Sequence, residues 1–472
     1  MIIAAGFPSI VEKYSKFYEE CFSKAGFIHF KKALSGFILS DNKTLEAINE
    51  MFVIEPRNQS SFNRFFNRQN FDIEQINKKR IEMLQQNEAT RFKTEKKKKG
   101  VLAIDDSLLK HYGKHFDNIY NLYDHVYENY RWSHDLVTLH YSDATTDYPL
   151  KYELWKPADW EAVAKYYTSL GFHINEKKWQ ERKSEKSKWR KYMRDRHRPL
   201  SKKAPEVRKI YRTKIQIAED LVREFVKEYP ELDFPLTFDS GYTSADFCQI
   251  LDEDLGLAYV GCLKTDQCII RKGNKKQLLK DFLKELRAQH FDPNNKKVVF
   301  QKTTYTFRGE KKTAYAYFAN HRIKGYEKKQ RLVISYGKED LSDEAKFTIT
   351  NRLSWYPSGI LRIRRHRWPV ETFYQESKDE GLEKYQVRNI KAIESYIAFI
   401  VVTFSILTCT VHDDELLSSI QQRLNIQAVG TLPFSRKVMK AEAILLLLQF
   451  VFEMQKQGTS LQQIFHTLTS YM

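Results

Sequence analysis

The chain has 472 residues, 42% of them hydrophobic, and 78 Lys+Arg against 60 Asp+Glu give it a formal charge of +18. The hydrophobic fraction is too high for a disordered chain, and the length suggests two or three domains with a sizeable core. A positive surplus of this size favours a polyanionic partner, either nucleic acid or an anionic membrane surface.

The apolar start MIIAAGFPSI follows no basic stretch and offers no small-residue cleavage site, so no signal peptide is expected. From there to Gly100 the pattern is helical. Leu45, Ile48 and Phe52 recur at helical spacing, and Asn58 is placed to cap a second helix carrying Phe62, Phe65 and Phe66. The pair around Glu55-Pro56-Arg57 fits either a helix-turn-helix or ordinary packing helices. Lys96 to Lys99 and Gly100 form a basic hinge and a domain boundary.

Beyond the hinge, Val101 to Ile104, Leu136 to Tyr141 and Leu150 to Trp155 are expected strands. Lys177 to Lys209 then packs 15 Lys/Arg against 4 Asp/Glu, with Trp179, Trp189 and Tyr192 interleaved. It is a candidate polyanion-binding stretch, with Lys188 and Arg190 as contacts; the alternative is a solvated linker or helix face. A helix over 206–228, a strand over 234–238, a helix near 244–251 and a strand over 257–263 complete a mixed α/β layer. Segments 298–300, 303–318, 332–336 and 347–350 suggest a β-rich insertion. A long helical region follows. Its apolar stretch from Tyr396 to Val411 falls short of the roughly 18 to 20 residues of a membrane span and contains Ser405, Thr408 and Thr410, so a buried core helix is expected. Five scattered cysteines (Cys21, Cys248, Cys262, Cys268, Cys409) argue against a disulfide framework, and Cys262 and Cys268 lack the histidine partners of a zinc site.

Strand ends are where α/β folds place their chemistry, and two strand candidates end in acid: VLAI-Asp105-Asp106 and FPLTF-Asp239-Ser240-Gly241-Tyr242. Taken singly, each also fits a turn or cap aspartate. A third acid lies in RIRRHRWPVETFYQESKDEG, where Arg364, Arg367, Glu371 and Lys378 fall within an arc of about 60° on an ideal helix. That face presents one carboxylate flanked by three cations, provided the helix starts or kinks at Pro369 without turning the arginines away.

These segments resemble the bacterial insertion-sequence transposases of the cut-and-paste DDE type. Arg367, Glu371 and Lys378 match the spacing of that group's Y-R-E-K signature, with Arg364 where the signature has tyrosine. Asp105 and Asp239 are similar to its first and second catalytic aspartates. The resemblance spans about Gly100 to Asn389 and implies an RNase H-like mixed sheet flanked by helices, a β-rich insertion and an N-terminal all-helical domain. The implied divisions are a DNA-end-binding domain over 1–99, a catalytic core over 100–266 and 352–412, an insertion over 267–351 and a C-terminal helical region over 413–472.

What the resemblance implies for function is binding of terminal inverted repeats, hydrolysis at the element ends and strand transfer into target DNA. Two Mg²⁺ ions, replaceable by Mn²⁺, would be held by Asp105, Asp239 and Glu371, with Asp105 bridging both. Asp106 competes with Asp105 for that role, and Glu376 or Glu380 with Glu371. Arg364, Arg367 and Lys378 would bind phosphates, Arg by a planar fork and Lys as a point charge. Trp355 would either stack on an unpaired base or lie in the core. The partner is double-stranded DNA rather than a membrane, engaged by a homodimer in the cytoplasm. The alternatives are an RNase H-like nuclease without strand transfer and an inactive DNA-binding derivative.

Overall fold

The computed structural model describes residues 3–53, 58–96, 98–173, 186–426 and 430–469. Among the described residues the chain begins with the α-helices α1 (Ser9–Ser15), α2 (Lys24–Leu39), α3 (Leu45–Glu50), α4 (Gln59–Arg68) and α5 (Ile73–Gln86). Side chains that accept a hydrogen bond from the first turn set their starts: Ser23 for α2, Thr44 for α3 and Asn58 for α4, where Asn58 Oδ1 takes the Ser61 amide at 2.9 Å. The expected helix after Asn58 is therefore present, whereas the turn 54–57 proposed for a helix-turn-helix lies outside the described residues.

Next come β1 (Val101–His111), β2 (Tyr120–Asp124), β3 (Asn129–Ser142) and β4 (Asp147–Leu154), then α6 (Trp160–Ser169), α7 (Lys186–Lys203) and α8 (Lys214–Glu228). The helix expected over 206–228 is divided. Pro205–Lys209 is a tight 3-10 turn, and α8 starts afresh at a capping box formed by Thr213 and Gln216. Then follow β5 (Leu236–Phe238), α9 (Ala245–Gln249), β6 (Tyr259–Cys262), β7 (Cys268–Ile270), β8 (Lys276–Leu278), α10 (Leu279–Phe291), β9 (Gln301–Phe307), β10 (Glu310–Ile323), β11 (Gln330–Tyr336) and β12 (Lys346–Thr350). The C-terminal part comprises α11 (Pro357–Arg365), α12 (Trp368–Asp379), α13 (Ile390–Val411), α14 (Asp414–Leu424), α15 (Leu432–Lys456) and α16 (Leu461–Thr469).

The centre of the sheet has the order β4-β3-β1-β5-β6. β3 is antiparallel to both β1 and β4, whereas β5 runs parallel to β1 and β6 parallel to β5. This mixed arrangement, with helices packed on it, is the RNase H-like architecture expected from the sequence. The apolar runs of β1 and β5 suit it, because central parallel strands are buried on both faces. β12 pairs antiparallel with β6, so the strands after Cys262 extend the same sheet.

α13 passes through the middle of the protein. By length and composition it could cross a membrane, but here it is buried, packed by α2, α4, α5, α15 and β4. Phe399 on it meets the rings of Phe22, Phe30, Phe65, Phe66 and Phe71. Thr403, Ser405, Thr408 and Thr410 each return a hydroxyl hydrogen bond to the carbonyl four residues earlier, which satisfies them inside the core.

Candidate active site

The register of the sheet brings the first two acids together. β1 pairs with β5 only from Leu102↔Leu236 to Ile104↔Phe238, so the next residue on each strand, Asp105 and Asp239, emerges side by side where β5 ends. β1 itself does not end there, as the sequence suggested, but continues beside β3 to His111. Strand alternation then separates Asp105 from Asp106.

Asp106 faces α8. Its carboxylate accepts from Lys214 Nζ at 2.7 Å and from the Tyr242 hydroxyl at 2.7 Å, and Lys214 also reaches Asp135 at 3.0 Å. Asp105 faces α12. The Tyr374 hydroxyl lies 2.8 Å from Thr138 Oγ1 and 2.9 Å from the Leu136 carbonyl, which docks α12 on β3 and brings Glu371, one turn earlier, toward Asp105. Glu376 and Glu380 point elsewhere, to Arg436 of α15 at 2.6 and 2.5 Å. Asp105 thus neighbours Asp239 across the β1–β5 register and Glu371 through Arg367, while Asp106, Glu376 and Glu380 have other partners.

Asp239 Oδ1 accepts from the Gly241 amide at 2.8 Å and the Tyr242 amide at 3.2 Å, so the turn role and the site position coexist in one side chain. A Cβ at position 241 would come within 3.1 Å of that oxygen, a reason for glycine there.

Arg367 joins the set. Its Nη1 lies 2.5 Å from Asp105 Oδ2 and its Nη2 lies 2.5 Å from Glu371 Oε1. Burial pushes the Asp105 carboxyl up to about 7; Arg367 opposes this, while Asp239 and Asp106 add to it. Burial works against the Arg367 charge, yet Asp105 and Glu371 raise its pKa above the ordinary value.

The single helix face expected for Arg364, Arg367, Glu371 and Lys378 is broken. α11 ends at Arg365, and α12 starts at Trp368 with Pro369 in its first turn, where a missing amide hydrogen costs nothing. Arg364 therefore belongs to another helix and places its Nε 3.3 Å from Cys262 Sγ at the end of β6. Lys378 is half-buried, with Nζ 3.1 Å from the Leu108 carbonyl and 3.4 Å from Glu383, and burial lowers its pKa. Trp355 is partly buried against the apolar cluster that includes Val101, Val260 and Ile360. Trp368, which nothing in the sequence singles out as a site residue, is 48% exposed beside Arg367, and Arg365 lies 5.5 Å from its ring. Only its position after Arg367 could have drawn attention to it. Lys188 is exposed on α7, and the Arg190 side chain lies outside the described residues, as does 174–185 of the basic stretch.

Carboxylate oxygens are the donors that hard divalent cations such as Mg²⁺ prefer, and Asp105 and Glu371 already converge on one cationic group. The donor set fits such an ion. Among the described residues no three His, Cys, Asp or Glu side chains lie close enough to hold a metal as they stand; the Arg367 guanidinium is interposed between Asp105 and Glu371.

No curated protein matches the chain. A family model described as DDE superfamily endonuclease matches residues 18–278, more than half of the sequence and including Asp105 and Asp239. A mixed sheet that sets two aspartates at adjacent strand positions and an acid-bearing helix over them agrees with that match, and the chain belongs to the DDE superfamily of endonucleases.

Proposed function

We propose that the chain is a cut-and-paste DNA transposase of the Y-R-E-K type. It binds terminal inverted repeats, hydrolyses the phosphodiester at the element end and directs the freed 3′-hydroxyl at target DNA. The observation that carries this reading is the convergence of Asp105 and Asp239 from neighbouring strands with Glu371 drawn to Asp105 through Arg367. A phosphodiester repels nucleophiles by its own charge, so catalysis depends on positioning and on charge neutralisation.

Asp105, Asp239 and Glu371 would hold Mg²⁺ or Mn²⁺, which when bound activates the attacking oxygen and stabilises the leaving one. The protein supplies the rest. Tyr374 fixes the helix that bears Glu371, and the Lys214-Asp106-Tyr242 cluster fixes β1 against the turn after Asp239. Arg364, Arg367 and Lys378 bind the phosphates that flank the scissile bond, while exposed Trp368 offers an aromatic face to a base. The basic α7, with Lys188 and Arg190, grips duplex DNA away from the cut, and residues 1–99 contact the element end. Synapsis of two ends requires a homodimer, acting on DNA in the cytoplasm.

The family's endonuclease description favours a second reading, a metal-dependent nuclease that cuts without joining. Incubating the protein and Mg²⁺ with DNA that carries the sequences flanking its gene separates the two. Cut ends that become joined to a target plasmid are expected. Cut ends that never join leave the nuclease, and uncut DNA refutes both.

A further inference from the structure

Arg367 has two possible employments, and it cannot hold both at once. In this structure the two ends of its planar fork serve Asp105 Oδ2 and Glu371 Oε1, each at 2.5 Å. An Arg–Glu pair four residues apart on a helix is a local contact of little weight. The second carboxylate, by contrast, comes from β1, 262 positions away in sequence, so the guanidinium ties the catalytic helix to the catalytic strand. A fork occupied in this way cannot also grip a phosphate with the same nitrogens. The side chain is 22% exposed, so its fork has an opening to solvent, and its backbone sits at the α11–α12 junction.

We propose that Arg367 is an exchangeable counter-cation. In the protein without DNA it holds Asp105 and Glu371 together in place of a divalent ion. When a DNA phosphate takes its fork, the two carboxylates are released to the metal. Metal binding and DNA binding therefore strengthen each other, and by linkage each does so to the same extent. Capture of metal by DNA-free protein, with the unproductive hydrolysis it would permit, is disfavoured. This rests on the reading of Asp105, Asp239 and Glu371 as metal-holding residues.

The test is Mn²⁺ binding by the full-length protein without DNA, followed by isothermal titration calorimetry, for the native chain, Arg367→Met and Arg367→Lys. Removing the competing charge in Arg367→Met should tighten Mn²⁺ binding at least tenfold. Arg367→Lys, whose ammonium cannot span both carboxylates as a fork, should fall between. Equal or weaker binding by Arg367→Met overturns the exchange while leaving the metal-holding acids intact. No Mn²⁺ binding by any of the three overturns the exchange and the underlying reading together. The native chain alone supports a second measurement, its affinity for a fluorescent duplex by anisotropy with and without Ca²⁺. Affinity should rise several-fold with Ca²⁺, and an unchanged value overturns the proposed coupling even if a variant fails to fold.

Discussion

Arg80 carries its guanidinium into the interior of the protein with no exposed surface. Its hydrogen bonds go to the carbonyls of Pro149 (2.6 Å) and Leu150 (2.9 Å), to Asn77 Oδ1 and to Ser405 Oγ, and none of these is a carboxylate. One side chain thereby connects α5, the edge strand β4 and the buried helix α13. Burial of a cation is costly, and removing it alone leaves carbonyl dipoles unpaired in the core. Arg80→Leu should lower unfolding stability by about 3 kcal/mol, read as a shift in urea midpoint at unchanged slope. A change below about 0.5 kcal/mol would show that water replaces the guanidinium freely. Nothing in the sequence marked this arginine, because its neighbours Lys78 and Lys79 make it look like one more cation on a solvated helix.

The helix that bears Glu371 is held at both ends. Tyr374 docks its first half on β3, and Arg436 of α15 grips Glu376 and Glu380 at its far end. Burial pushes the Glu380 carboxyl up to about 7 in spite of Arg436. The unfolded chain loses that proton near 4.5, so between about 4.5 and 7 the native state retains a proton that the unfolded state has released. Stability therefore falls as pH rises through that window. Asp105 and Asp135, also pushed up to about 7, act in the same direction. Melting temperatures from pH 5 to 7.5 should fall less steeply for Glu380→Gln than for the native chain, and parallel curves would remove Glu380 from the effect.

How much of this was legible followed from the range of the forces involved. Periodicity placed β5, β6 and the Asn58 cap well, because each is decided by adjacent residues. The helix break at His366–Arg367 was foreshadowed by Pro369, but which way Arg364 would turn depends on packing against β6 and was not readable. The opposite directions taken by Asp105 and Asp106 likewise depend on the partners on each face of β1, above all Lys214.

Taken as a whole, the protein sets a small group of acids within a chain whose net charge is +18. Under the proposed function such a surplus attracts DNA from every direction but selects no bond, whereas Asp105 and Asp239 at the centre of the sheet and Glu371 on α12 would select a bond but attract nothing anionic by themselves. Division of labour of this kind makes binding strongly salt-dependent. If about six to ten phosphates are neutralised, affinity for duplex DNA should fall roughly 10³- to 10⁵-fold between 50 and 200 mM salt. A flat response in an anisotropy titration would remove the basic surface from DNA binding. The apolar helix α13, long enough to be mistaken for a membrane span, gains its meaning at this level too, since helices from both ends of the sequence close around it.

Metal-dependent DNA cleavage by the native chain and by Asp105→Asn, Asp239→Asn, Glu371→Gln and Asp106→Asn, each with circular dichroism as a check of folding, bears most directly on the proposed chemistry. The first three substitutions should each lower cleavage in Mg²⁺ by about 10³-fold or more, because each removes a carboxylate from the proposed metal-holding set. Asp106→Asn, which loosens the Lys214 and Tyr242 ties and the contact with Asp135, should cost no more than about tenfold. Near-native cleavage by folded Asp239→Asn or Glu371→Gln, or loss of cleavage in folded Asp106→Asn while Asp105→Asn stays active, would contradict it.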